Sequence, residues 1–238
     1  LVTGDCGFIG SHLAETLIAN GHQVRILDNL STGKFENKAA AAELTLGDVA
    51  DVETVRRAMV GIDGCFHLAA VASVEKSNRD WLGTHRTNLT GAITVFDAAC
   101  TSARQAPVVY ASSAAVYGNN PNLPLTEEAT THPLSAYGAD KLGCEQHALV
   151  AGQVHGVPTC GLRFFNVYGP RQDPASPYSG AISIFCDRLR SSRNITIYGD
   201  GLQIRDFIFV KDVIQALIAA MMKASHQAPV YNVCTGRA

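Results

Sequence analysis

Up to about Asn166, short apolar runs alternate with amphipathic stretches. The runs Leu1–Thr3, Gln23–Leu27, Gly64–His67, Pro107–Ala111 and Thr159–Phe164 read as buried strands, and Leu44–Leu46 adds a shorter one. Between them, helical periodicity marks Ile9–Asn20, Val52–Val60, Thr84–Ala103 and Ser135–His155. This β–α order predicts an α/β fold: a doubly wound parallel sheet covered on both faces, with strand ends converging on one edge for ligands.

After Asn166 the rhythm loosens. Tyr168-Gly169-Pro170 and Asp173-Pro174 through Pro177 are breakers, followed by a helix near Ile182–Arg190. Next come a short strand at Ile195–Tyr198, a turn at Gly199-Asp200-Gly201 and an apolar run at Phe207–Val210. A helix at Asp212–Met222 and a strand at Val230–Val233 close the chain. The expected division is a sheet domain over 1–165 and a small lobe over 166–238, interleaved with the last sheet elements. Both ends look clipped, since a strand begins at Leu1 and the chain stops just after another. A fragment with an incomplete lobe is expected.

Composition narrows the class. Of the 238 residues 47% are apolar and only 17% charged, with a net charge of -2, so a large core is available. No basic run or basic helix face stands out, which argues against nucleic acid as a partner. Seven cysteines, at 6, 65, 100, 144, 160, 186 and 234, form no Cys-x-x-Cys pair and are odd in number. Free thiols in a reducing, cytoplasmic setting are expected, with neither a disulfide framework nor a metal site. No apolar stretch has the length to cross a bilayer.

The chemistry begins with Gly4-Asp5-Cys6-Gly7-Phe8-Ile9-Gly10, between the first strand and the first helix. Gly4 permits a tight turn, Gly7 lets backbone N–H groups approach a pyrophosphate, and Gly10 permits close helix–strand packing. Asp5 puts a carboxyl beside this anion site, so it is expected to face solvent. Asp28 ends the second strand, where an acid accepts hydrogen bonds from ribose hydroxyls and repels a 2′-phosphate, favouring NAD over NADP. Asp48, in Gly47-Asp48-Val49, fits two readings equally: a helix N-cap or a partner for the adenine amino group. Tyr137 and Lys141 stand four apart on a helix, so both point into one site, where the ammonium stabilises a phenolate and makes it a usable base. Upstream, Ser112-Ser113-Ala114-Ala115-Val116-Tyr117-Gly118 follows a strand, and a hydroxyl there reaches a reacting oxygen or merely caps a turn.

Together with Arg163-Phe164-Phe165-Asn166-Val167-Tyr168-Gly169-Pro170, these motifs resemble the extended short-chain dehydrogenase/reductase family, on a Rossmann-like fold, in its nucleotide-sugar branch; UDP-hexose 4-epimerases are the most similar. The resemblance implies Ser113, Tyr137 and Lys141 as the catalytic set, with Ser113 preferred over Ser112 for its place four residues before Tyr117. It implies NAD as cofactor, held by Gly4, Gly7, Phe8, Ile9, Gly10, Asp28, Asn29, Asp48, Val49, Leu68, Ala69, Ala70, Asn88, Tyr137, Lys141 and Phe164. It resolves Asp48 towards adenine, while Asn88 keeps a second reading as a buried polar helix residue. A UDP-sugar is implied as substrate, with Ser113, Tyr137, Asn166 and Arg205 binding it, the forked Arg205 on the diphosphate. On this reading 1–165 is the NAD-binding domain and 166–238 the substrate-binding lobe.

Within the resembling family, 4,6-dehydratases carry an extra acid/base pair, usually Asp-Glu, where this chain has Ala114-Ala115. Alanine transfers no protons, so epimerisation at carbon 4 ranks above dehydration or decarboxylation. A silent NAD-binding sensor ranks third, because both Tyr137 and Lys141 are present. The resemblance further implies a homodimer. The helices Thr84–Ala103 and Ser135–His155 carry Leu89, Ile93, Phe96 and Cys100, and Leu142, Leu149 and Val150, more apolar surface than one stripe needs.

Overall fold

The computed structural model of the chain describes residues 1–174, 180–197 and 199–237. Among these, seven strands form one sheet in the order β3-β2-β1-β4-β5-β6-β9, every neighbouring pair parallel. They are β1 (Val2–Thr3), β2 (Arg25–Asp28), β3 (Glu43–Leu46), β4 (Cys65–His67), β5 (Val108–Ser113), β6 (Thr159–Phe164) and β9 (Val230–Val233). The doubly wound Rossmann-like α/β fold is thus as expected. Strand bounds moved slightly: the second strand starts at Arg25 and gains Asp28, and the fifth runs on through Ser113.

Helices cover both faces, as a parallel sheet requires. On one side α2 (Val52–Met59), α5 (Gly91–Thr101) and α6 (Ala136–Gln153) bury Val55, Met59, Val95, Phe96, Cys144 and Ala148. On the other, α1 (Phe8–Ala19) and α8 (Val210–Met221) bury Leu13, Ala14, Val213, Ile214 and Leu217. Caps set where the helices begin: Asp51 accepts from Thr54 N ahead of α2, and Ser135 accepts from Gly138 N ahead of α6. Asp51, not Asp48, is therefore the cap of α2.

The helix expected over Thr84–Ala103 is built in pieces. A short α3 (Val74–Arg79) precedes α4 (Trp81–His85), which passes through a π turn at Arg86–Thr90 into α5. The wider turn sets Asn88 inward, fully buried. Phe96 packs edge-on against Tyr110, but Ile93, Leu149 and Val150 stay exposed.

The later part holds a two-stranded parallel pair, β7 (Asn166–Tyr168) with β8 (Phe207–Phe209), and α7 (Ala181–Arg190). The strand expected at Ile195–Tyr198 is not formed over Ile195–Ile197, which is irregular and exposed; Tyr198 lies outside the described residues, as do positions 175–177 of the expected breaker. Alternating apolar residues make a strand only where they find backbone partners, and among the described residues β7 and β8 pair with each other and not with this segment. All seven cysteines are free. No described helix is long and apolar enough to cross a membrane.

Candidate active site

The carboxyl ends of the central strands open into one cleft of about 540 Å³, a size suited to a ligand site. Its floor is the turn after β1. Gly4 takes a φ of +74°, and a Cβ there would meet Ala69 Cα at 2.7 Å. A Cβ on Gly10 would sit 2.5 Å from Gly4 O, so the first turn of α1 is pressed against the loop. Gly7 is the N-cap of α1 with no side chain over the helix end, and no acid stands in the first turn. Free N–H groups and the helix dipole face the cleft, a cradle for a pyrophosphate.

Asp5 does not face solvent. It is fully buried, and neither carboxylate oxygen has a hydrogen-bond partner among the described residues. The cause is the same close packing: the position a Gly10 Cβ would take lies 2.6 Å from Asp5 Cα, so α1 roofs the turn. Burial, with the nearby Asp28 charge adding, pushes the Asp5 carboxyl up to about 7.

Asp28 lines the cleft at the end of β2, its two oxygens accepting from Cys6 N (3.0 Å) and Leu30 N (2.8 Å). These bonds fix the carboxylate and leave it lone pairs for ribose hydroxyls. Asn29 lines the same wall, with Val49 further along. Opposite, Leu68, Ala69 and Ala70 run past the turn. Ala69 N donates to Thr3 Oγ1, which also meets His67 Nδ1 at 2.8 Å. Burial, with the Lys141 charge assisting, pulls His67 down to about 3, so its imidazole is neutral. Asn88 does not line the cleft; its side chain bonds both N and O of Val71 and so holds this wall from behind.

The reactive groups meet at the far end. Ser113, the last residue of β5, and Tyr137 and Lys141, from the first turns of α6, all line the cleft. Lys141 Nζ lies 5.9 Å from the Tyr137 ring centroid and donates to Ala111 O at 2.8 Å. Tyr137 N is held by Ser77 Oγ of α3 at 3.2 Å. Ser113 Oγ accepts from Ala115 N, so its own proton is free to point elsewhere. The ammonium is thus held within electrostatic reach of the phenol, and a hydroxyl stands at the neighbouring strand end. This set suits proton transfer to and from a substrate hydroxyl.

Gly4, Gly7, Phe8, Ile9, Gly10, Phe164 and Asn166 also line the cleft, as expected from sequence. Asn166 is tied through N and Nδ2 to Asp206 O. Two other candidates stand off the lining: Asp48, whose Oδ1 accepts from Ala50 N, and Arg205, whose exposed guanidinium donates to Ile204 O. Missed from the sequence were Lys34, Asn37, Arg171, Gln172 and Asp173 on the rim. Lys34 pairs with Asp173 at 3.1 Å, and His12 Nε2 lies 2.9 Å from Pro170 O, so the stretch after β7 straps down towards β2 and α1. The polar, glycine-containing loop Ser31-Thr32-Gly33-Lys34 directly after Asp28 was a usable signal for one side of this rim. Nothing local marked the other side.

The glycine-floored cleft at a parallel strand edge, with an acid at the β2 end, defines a dinucleotide-binding protein of Rossmann-like type. The chain belongs to the NAD dependent epimerase/dehydratase family, whose model matches residues 1–234. It is 36% identical to a UDP-glucose 4-epimerase of Mycolicibacterium smegmatis, over 99% of this chain and 77% of that protein. The UDP-glucose 4-epimerase structure from Thermotoga maritima, with UDP-glucose, aligns with a TM-score of 0.94 at 36% identity, over 99% of this chain and 76% of that one. That from Thermus thermophilus, in complex with NAD, aligns at 0.91 and 37%, over 99% and 77%. NAD is the cofactor, and the glycine cradle, helix end and Asp28 carboxylate fit it.

Proposed function

We propose that this chain is an NAD-dependent epimerase that inverts carbon 4 of a UDP-hexose through a transient 4-keto sugar. The family description spans epimerases and dehydratases, so membership alone does not choose the reaction. The choice is carried by Ala114 and Ala115, which follow Ser113 in a 3-10 turn and bring no proton-transfer group beside the reacting carbon. Eliminating water from carbons 5 and 6 needs such a group; inversion at carbon 4 does not.

Tyr137 takes the proton of the sugar 4-hydroxyl as a phenolate, with Ser113 hydrogen-bonded to the same oxygen. Lys141 supports the phenolate by its charge and reaches the nicotinamide ribose. NAD, when bound, would supply the hydride acceptor for carbon 4 and the donor for its return on the opposite face. Asp28 selects NAD over NADP. Asn166 and Arg205 hold the nucleotide diphosphate while the sugar turns, and the lobe over 166–238 forms this substrate side. The exposed Ile93, Leu149 and Val150 form a twofold interface between two chains in the cytoplasm.

Proton NMR of UDP-glucose incubated with the NAD-loaded protein tests the reaction. A product differing only at carbon 4 is expected. A new methyl signal from a 4-keto-6-deoxy sugar as the main product overturns the reading in favour of a dehydratase.

A further inference from the structure

Below the reactive groups lies a buried polar layer that the chemistry above does not use. Ser112, Arg163 and Asn232 stand on one rung of three adjacent strands, since Ser112 pairs with Arg163 across β5–β6 and Arg163 with Asn232 across β6–β9. Glu145 reaches this rung from α6. Arg163 Nε donates to Glu145 Oε1 at 2.9 Å and Nη2 to Oε2 at 2.7 Å, a two-pronged pair with each side chain only 8% exposed. Arg163 Nη1 donates to Tyr117 Oη at 2.6 Å and to Glu127 O at 3.1 Å. Tyr117 Oη donates to Asn232 Oδ1 at 2.7 Å. Burial opposes the guanidinium charge, yet the bonds to Glu145 and Tyr117 outweigh it and raise Arg163 above its ordinary value.

The placement of Glu145 matters more than its charge. Tyr137, Lys141 and Glu145 follow one another at intervals of four along α6 and so share a face. Three successive residues of β5 meet that face or the cleft: Ala111 O accepts from Lys141 Nζ, Ser112 Oγ donates to Glu145 Oε1, and Ser113 lines the site. The helix that carries the base and the strand that carries the assisting hydroxyl are therefore joined in register by two bonds. A buried ion pair adds little net stability over an apolar pair of similar volume, so its contribution here is geometric.

We propose that Glu145 and Arg163 are positioning residues: their buried pair, with Ser112, sets Tyr137 on α6 and Ser113 on β5 at the spacing at which both reach one substrate oxygen. This rests on the epimerase reading above. It does not depend on it for every test, because the position of Tyr137 against Lys141 has its own readout.

The experiment compares the full NAD-loaded chain with Ser112→Ala and with the double variant Glu145→Met, Arg163→Met, which removes both charges together. The double variant is expected to keep the parent Tm within a few degrees and the KM for UDP-glucose, while kcat falls roughly 10–100-fold, as for a small misplacement of reacting groups. Ser112→Ala is expected to show the same split, smaller in size. With carbon-13-labelled tyrosine, the Tyr137 ring resonance, assigned by its loss in Tyr137→Phe, is expected to shift in the double variant, because α6 has lost its side-chain ties to β5 and β6 at Glu145. A double variant with parent Tm, parent kcat and an unshifted Tyr137 ring resonance overturns the proposal. If the double variant does not fold, Ser112→Ala decides by the same readouts. If the parent turns over no UDP-sugar, the epimerase reading falls, and the Tyr137 ring resonance alone decides the positioning role.

Discussion

Around β1 and α1, Val2, Leu13, Ala14 and Ile26 are enclosed, and backbone approaches backbone within the space of a methyl group at Gly4 and Gly10. In the lobe, α7 buries none of its residues, and Ile197, Leu202 and Ile204 lie exposed. The contrast separates two ways of making a site. At the cofactor end the geometry follows from packing that leaves no alternative, so the anion cradle exists before any ligand arrives. Around Asn166 the walls include polar ties to backbone, such as Asn166 to Asp206 O, and α7 beyond them buries none of its residues. On the proposed reading, a cofactor that stays bound suits the first, and a sugar that presents both faces suits the second.

The sharpest separation of chemistry from cradle is Tyr137→Phe. It is expected to lower turnover roughly 10²–10⁴-fold while NAD binding stays at the parent level, measured by steady-state kinetics and calorimetry. Activity within a few-fold of the parent removes Tyr137 from the mechanism and leaves only the cradle as described.

The contrast in packing is tested by two substitutions of one type. Leu13 is fully buried and Leu202 is 78% exposed. Leu13→Ala is expected to cost about 2–5 kcal/mol in denaturant unfolding, and Leu202→Ala less than about 0.5 kcal/mol. Comparable costs would mean that the lobe is as tightly packed as the sheet.

A further test, of how closely the cradle is packed, concerns Asp5. Its carboxyl ionises at about 7 in the folded chain and near the ordinary carboxylate value when unfolded. Between those values the folded state holds a proton that the unfolded state has released, so stability falls as pH rises and the loss is complete above 7. Asp5→Ala is expected to flatten this fall, read from denaturant midpoints at pH 5 and pH 8. An unchanged pH dependence would place the Asp5 carboxyl in contact with water.

The same contrast explains what could be read from the sequence. The alternation of strands and helices, the glycine turn, Asp28 and the Tyr137–Lys141 spacing follow local rules of periodicity and turn chemistry, and all were legible. Asp5 was misplaced because its burial depends on how closely Gly10 brings α1 over the turn, a distance no local pattern encodes. Ile195–Ile197 carries strand alternation but pairs with no strand among the described residues, which only the assembled lobe decides. Arg171 and Gln172 reach the cleft through a strap from a distant part of the chain. The Glu145–Arg163 pair joins α6 to β6 across a strand register that sequence does not display.

On the proposed reading, one cleft takes a hydride from carbon 4 and returns it to the same carbon. UDP-glucose carrying deuterium at carbon 4 tests this, with the product analysed by NMR and the solution followed for free NADH. Inverted product with deuterium retained at carbon 4 and no accumulation of NADH is expected. Product with hydrogen in place of deuterium at carbon 4, or one NADH released per turnover, contradicts it.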